Sequence, residues 1–304
     1  MTAQRRNSRR GGDKNGMRYA AIFILLVGCI MFANSISQRD KEKAEKTLDP
    51  TEQTEKPRSA ATPDAQLTEE KTAQFGDLEQ VVTPASVESV VKQYEGMRLS
   101  FNPRYHIPNW VAWELTASEA QGTLPRAKNF MQDESVEGCP GPWEYSNSGY
   151  DRGHMAPAGD MKWDSEAMND AFYMTNMVPQ AKALNSGAWK TLEEKCRQWA
   201  KKFGEVNIVC GPVIDGDPIE YIGDSKIYVP RKFFKVIIAP NANPALGIGF
   251  IMPNAKVKGG MQPCAVTIDS VETLTGFDFF SSLPDSLEND LESQCKLNRW
   301  EYKR

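Results

Sequence analysis

Hydrophobic and polar positions divide the chain into three stretches. Tyr19 to Ala33 (YAAIFILLVGCIMFA) is apolar throughout, within a charge-free window running from Tyr19 to Gln38. About 20 such residues in a helix cross the roughly 30 Å hydrocarbon layer of a bilayer. From Arg39 to about Ser86, Lys, Glu, Thr, Pro, Ala and Gln dominate, and Leu48, Leu67, Phe75 and Leu78 follow no period. Such a stretch buries too little surface to offset its ordering entropy, so a flexible linker is expected. From Val87 onward apolar groups return in a regular pattern, over about 218 residues, enough for one well-buried core.

Within that last stretch the pattern predicts strands at Trp110–Leu115, Phe172–Met174, Val206–Val209, Lys226–Val229, Phe233–Ile238 and Ile248–Ile251. These are β-branched and aromatic, with Gly, Pro or Asn at most boundaries. Ala188, Leu192, Cys196, Trp199 and Phe203 recur at three- and four-residue spacing and predict a helix over about 186–203. Shorter helices are expected at Asp269–Leu274 and Ser286–Gln294. Strands and helices mixed without a βαβ alternation indicate an α+β domain.

Charge sharpens the reading of the first stretch. Arg5, Arg6, Arg9, Arg10, Lys14 and Arg18 precede the apolar run against Asp13 alone. By the positive-inside rule the N-terminus stays cytoplasmic and the rest is exported. The expected organisation is a basic cytoplasmic tail at 1–16, a transmembrane signal anchor at 17–37, a linker at 38–86 and a globular domain at 87–304. That puts the domain on the extracytoplasmic side of a cell membrane, periplasmic or extracellular, on a single-pass anchor. Two other fates compete: a cleaved signal peptide at Ala33-Asn34-Ser35, and lipidation at Cys29, whose setting Leu26-Val27-Gly28-Cys29 is lipobox-like. The apolar run continuing past Cys29 weighs against lipidation.

The 304 residues are 40% hydrophobic and 25% charged, with a net charge of −4. This excludes repeats, collagen and wholesale disorder, and a polyanion partner would need a local basic patch. Of the six cysteines, Cys139, Cys196, Cys210, Cys264 and Cys295 fall in the globular stretch. None has zinc-like spacing, so a structural zinc is not expected. Their odd number leaves at least one unpaired, with up to two disulfides open.

The chain has two histidines. His106, in Tyr105-His106-Ile107-Pro108, reads as a turn or surface residue. His154 sits in Tyr150-Asp151-Arg152-Gly153-His154-Met155-Ala156-Pro157, where an acid, an arginine and a base fall within four residues. A histidine can take a proton from water near neutral pH. Downstream come Asn176-Met177-Val178-Pro179-Gln180 and Leu184-Asn185-Ser186-Gly187-Ala188-Trp189. The plain reading of Asn185 is a helix N-cap. The plain reading of Glu193 and Arg197, four apart on one face, is an ion pair. Together these residues offer a base, an amide oxygen, an acid and several arginines. Phosphodiester cleavage needs an activated water, a cation at the leaving oxygen and positive charge on the phosphate, which this set can supply.

Asp151-Arg152-Gly153-His154 resembles the DRGH signature of the DNA/RNA non-specific endonucleases, a ββα-metal (His-Me finger) family. The resemblance extends over about 97–285. It takes in Pro108–Ala112, Asn176–Gln180, Leu184-Asn185, Trp189, Leu192-Glu193, Cys210–Val213, Val229-Pro230, Phe233–Lys235 and Asp269–Phe280. It implies a central antiparallel sheet flanked by helices, with a ββα element carrying the site. It also implies roles. His154 would be the general base. Asn185 would be the sole direct protein ligand of Mg²⁺, or Mn²⁺. Glu193 would hold metal-bound water, and Arg197, Arg152 and Arg126 would serve the phosphate. Asn176 would support the site, and Asp151 would shape the turn. DNA and RNA are the implied substrates, cut to leave 5′-phosphate ends. The membrane is the remaining expected partner, and a homodimer is left open.

An acidic chain that binds nucleic acid implies local segregation of charge, with Arg126, Lys128, Arg152, Lys182, Lys190 and Arg197 gathered at a cleft. A non-catalytic binding module on the same fold would lack the histidine or the asparagine, and both are present. A phosphodiesterase for small nucleotides would cut dinucleotides but not long duplex.

Overall fold

The computed structural model describes residues 77–301. The basic tail, the anchor at 17–37 and most of the linker lie outside the described residues. Among the described residues no helix is long and apolar enough to cross a membrane.

The folded body opens on a short strand, β1 (Val81–Val82), followed by a meander of β2 (Val90–Gln93), β3 (Arg98–Asn102) and β4 (Ile107–Thr116). A long loop leads to β5 (Asp151–His154), helix α1 (Ser165–Asp170) and β6 (Met177–Gln180). A helical turn, Lys182–Leu184, and a wide π turn, Asn185–Trp189, run into α2 (Lys190–Phe203). Then come β7 (Glu205–Val213), the small hairpin β8 (Tyr221–Ile222) and β9 (Ile227–Tyr228), β10 (Lys232–Ala239), β11 (Leu246–Pro253) and β12 (Ala265–Val266). The chain closes with α3 (Ile268–Thr275), β13 (Asp278–Phe279), α4 (Asp285–Glu292) and α5 (Leu297–Trp300).

Seven strands form one sheet in the order β12-β11-β10-β7-β4-β3-β2, antiparallel at every junction. It is covered on both faces. Val111, Trp113 and Leu115 of β4 and Ile208 of β7 face α2 and the β5–β6 pair, beside Leu192, Cys196 and Trp199. Trp110, Ala112, Val209, Val236 and Ile238 face the other way, against Ile268, Val271, Phe279 and Leu291. Double coverage explains the continuous apolar runs in these strands, which an antiparallel sheet with one solvated face would break by alternation.

The α+β reading and the central antiparallel sheet agree with the structure. The differences are local. Residues 77–86, expected as linker, belong to the fold: Leu78 and Val81 are buried, and β1 pairs with β13. Phe172–Met174 is not a strand. Asp164 caps α1 through the amides of Glu166 and Ala167, the chain turns, and a 3₁₀ turn at Met174–Asn176 precedes β6. Lys226–Val229 shortens to the two residues of β9. The Asn185 side chain caps nothing, because the helical run already starts at Lys182 and Asn185 lies inside it. Cys139, Cys196, Cys210, Cys264 and Cys295 are all free thiols, the first four buried.

Candidate active site

Two strands and a helix bring the sequence motifs together. β5 and β6 pair antiparallel, setting Asp151 opposite Gln180 and His154 opposite Met177. A Cβ on Gly153 would lie 2.6 Å from the Cβ of Gln180, so only glycine lets the strands approach this closely. The chain leaves β6 into the helical run carrying Asn185, Glu193 and Arg197. The three elements enclose a cleft of about 580 Å³, lined by Arg126, Asp151, Arg152, His154, Asn185 and Glu193, with Lys190 and Arg197 at its wall.

His154 is 8% exposed, and its Nε2 meets no hydrogen-bond partner in the protein. The imidazole packs against Phe172, ring centroids 5.0 Å apart and edge-on, and against Phe130 at 5.6 Å. Burial in this aromatic setting, with the Arg126 cation nearby, pulls its pKa down to about 3. It is therefore neutral, with a lone pair available, across the physiological range.

Asn185 donates its Nδ2 to Asp151 Oδ2 at 2.9 Å. That bond fixes the amide and leaves its carbonyl oxygen to offer to the cleft. Asp151 thus orients Asn185, which its position in the turn did not reveal. Glu193 is half-buried; desolvation pushes its carboxyl up to about 7 against the opposing pull of Lys235, Arg197 and Arg126. Arg197 does not pair with Glu193 on its own helix. Its Nη1 meets Asp160 Oδ1 at 2.7 Å, and Asp160 is fully buried and also accepts from Trp113 Nε1.

The other arginines differ in kind. Arg126 lies on an exposed loop, its guanidinium 4.8 Å from the Phe172 ring centre. Arg152 lines the cleft, but its Nε and Nη2 both donate to Pro142 O. Its guanidinium rests over Phe130. Asn176 does not line the cleft at all. It is wholly buried, exchanging bonds with Ala156 N and O and donating to Ala171 O, each at 2.9 Å. It is a positioning residue that clamps the backbone just after His154. Of the six basic residues expected at the cleft, Arg126, Arg152, Lys190 and Arg197 line it, and Lys128 and Lys182 do not.

Two residues were not foreseen. Asp160 gave no signal in sequence. Lys235 gave one: a lysine among the apolar residues of KFFKVIIA. It is fully buried on the α2 side of the sheet, its ammonium 4.6 Å from the Trp189 ring centre and 4.8 Å from that of Trp113. Its charge acts on both Asp160 and Glu193 from beneath the cleft.

Residues 74–286 match the model of the DNA/RNA non-specific endonucleases. The chain belongs to that family. A nuclease of Nostoc sp. is 32% identical over 231 residues, 70% of this chain and 80% of that one. Human mitochondrial endonuclease G is 32% identical over 208 residues, 64% of this chain and 70% of that one. The match to human mitochondrial nuclease EXOG, also 32% identical, takes in 60% of that protein. A crystal structure of an EndoG/EndoGI complex, described as showing the mechanism of EndoG inhibition, superposes with a TM-score of 0.59 at 30% identity. It covers 65% of this chain and 88% of that one. This family member is a hydrolytic nuclease, which sets aside the reading as a non-catalytic module.

Proposed function

We propose that the protein is a divalent-metal-dependent endonuclease that cuts both DNA and RNA within the strand, leaving 5′-phosphate ends. One observation carries the reading: a buried imidazole nitrogen without a protein partner shares a cleft with an asparagine whose amide is held by Asp151. His154 is the general base, its neutral nitrogen taking the proton of the attacking water. Asn185 would hold the metal through its carbonyl oxygen, and Glu193 would hold water beside it. The donor set is all oxygen, which fits Mg²⁺ or Mn²⁺. Such an ion, when bound, neutralises charge building on the leaving oxygen.

Arg197, braced by Asp160, and Arg126, on its exposed loop, contact the phosphate. Arg152, tied to Pro142 O, holds the loop that walls the cleft and takes a smaller part in binding. Contacts to the backbone carry little sequence information, which supports broad substrate use. We further propose that 17–37 anchors the enzyme in a cell membrane with the catalytic domain outside the cytoplasm, supported by the charge-free apolar run and the basic residues before it.

The test is digestion of supercoiled plasmid and of RNA by the full chain, with and without Mg²⁺, beside His154→Ala and Asn185→Ala. Metal-dependent cutting of both polymers, lost in both variants, supports the reading. Cutting of dinucleotides but not of plasmid would replace it with a small-nucleotide phosphodiesterase.

A further inference from the structure

On the sheet face opposite the cleft, five carboxylates meet where three elements converge. Asp269 and Glu272 come from α3, Asp278 from β13, Glu288 and Glu292 from α4. Their oxygens form two groups, Asp269–Glu272–Glu292 and Asp278–Glu288–Glu292. Within each group one oxygen per residue lies within 4.8 Å of the others, and Glu292 is shared. Among the described residues no lysine or arginine pairs with any of the five. The one hydrogen bond that enters from the backbone is Phe279 N to Glu272 Oε1, at 2.9 Å.

Glu292 distinguishes this cluster from an ordinary acidic surface. It is 9% exposed, and its Oε1 is buried with no partner; a buried Glu288 Oε1 has none either. The Glu292 carboxyl is in hydrogen-bond contact with that of Glu272, and burying it among like charges is unfavourable unless a proton or a cation offsets the repulsion. Oxygens around one Ca²⁺ sit at about 2.3–2.6 Å from it, so ligands on opposite sides are about 5 Å apart. The observed groupings have that size. Glu288 and Glu292 also lie beyond the stretch 74–286 that matches the family.

We propose that Glu292, with Glu272, Glu288, Asp269 and Asp278 around it, binds a divalent cation of the Ca²⁺ class, separate from the catalytic centre. Carboxylates from three independent elements suit the irregular six- to eight-oxygen shell of Ca²⁺ better than the strict octahedron of Mg²⁺. The bound ion fastens α4 and β13 to α3. Through the β1–β13 pairing it also fastens the point where the chain enters the fold.

The test is Ca²⁺ binding by calorimetry and thermal unfolding of the full chain in mild detergent, stripped of metal. Asn185→Ala serves as background, to remove the catalytic ion. Saturable binding is expected, with Tm rising by about 5 °C when free Ca²⁺ is a hundredfold above Kd. Glu292→Gln should abolish that response. If that variant fails to fold, Glu288→Gln should weaken Ca²⁺ binding tenfold or more. Absence of binding, or a Ca²⁺ response that survives these substitutions, overturns the proposal.

Discussion

Replacing Asp160 by Asn tests whether Arg197 is held from below rather than along its helix. Arg197 Nη1 sits 2.7 Å from Asp160 Oδ1, and the carboxylate side chain is completely buried. Removing one partner of a buried pair costs about 3–5 kcal/mol, most of it from the charge left unpaired. Here the guanidinium side chain keeps 22% of its exposure, so it can turn to water and recover part of that. Asn keeps the shape and one acceptor, but Trp113 Nε1 and Arg197 then compete for it. The expected loss is about 2–3 kcal/mol, or roughly 5–10 °C in Tm for a domain of this size. Activity should fall as well, because an arginine drawn toward solvent no longer presents to the phosphate. A tenfold to hundredfold drop in kcat/KM corresponds to about 1.4–2.8 kcal/mol of lost transition-state binding. Denaturant unfolding of Asp160→Asn, Arg197→Ala and the double variant gives the coupling between them. A coupling below about 0.5 kcal/mol, or a single variant as stable as the parent, would refute the bracing role.

Two further outcomes follow from the same structure. The folded pKa of His154, about 3, lies below the ordinary 6.5, so the unfolded chain binds the extra proton between these values. The imidazole's contribution to stability is complete above 6.5 and lost as pH falls, by about 2 kcal/mol at pH 5. Glu193, raised to about 7, works the other way, contributing below 4.5 and losing it as pH rises to 7. Metal-free denaturant unfolding at pH 7 and pH 5 should therefore show His154→Ala losing less stability on acidification than the parent, and equal losses would contradict the buried neutral imidazole. Brief alkylation of the native protein, read by mass spectrometry, should label exposed Cys295 and spare Cys139, Cys196, Cys210 and Cys264. Reductant should leave Tm unchanged, since all five cysteines among the described residues are free thiols, and a shift would contradict that.

Legibility in the sequence follows the range of the interactions. The periodic stripe of α2 and the apolar runs of β4, β7, β10 and β11 were readable, because burial on a regular element repeats at its own period. So was the ββα element, whose residues lie within one local stretch between Asp151 and Arg197. What failed depended on distant partners. β1 is two residues long and exists because β13 pairs with it from nearly two hundred positions away. Arg197 faced two acids, and the pattern favoured Glu193, four residues before it. Asp160, brought up from the far side of the site, won because it is buried and in hydrogen-bond reach.

Asn176 and Lys235 show the same limit from the side of chemistry. A motif records that a residue matters, not whether it touches substrate. Asn176 spends all three of its side-chain bonds on the backbone around His154, so none remains for a ligand. Lys235 is more telling. A lysine is costly to bury, and both faces of this strand are covered. Lys235 stands between two indole faces beneath Glu193 and Asp160, where it offsets the repulsion between two acids held near one another. The cleft's positive wall of Arg126, Arg152, Lys190 and Arg197 therefore rests on a second, buried layer of charge. That layer lets an acidic chain keep Glu193 and Asp160 at the base of a site that must accept a polyanion.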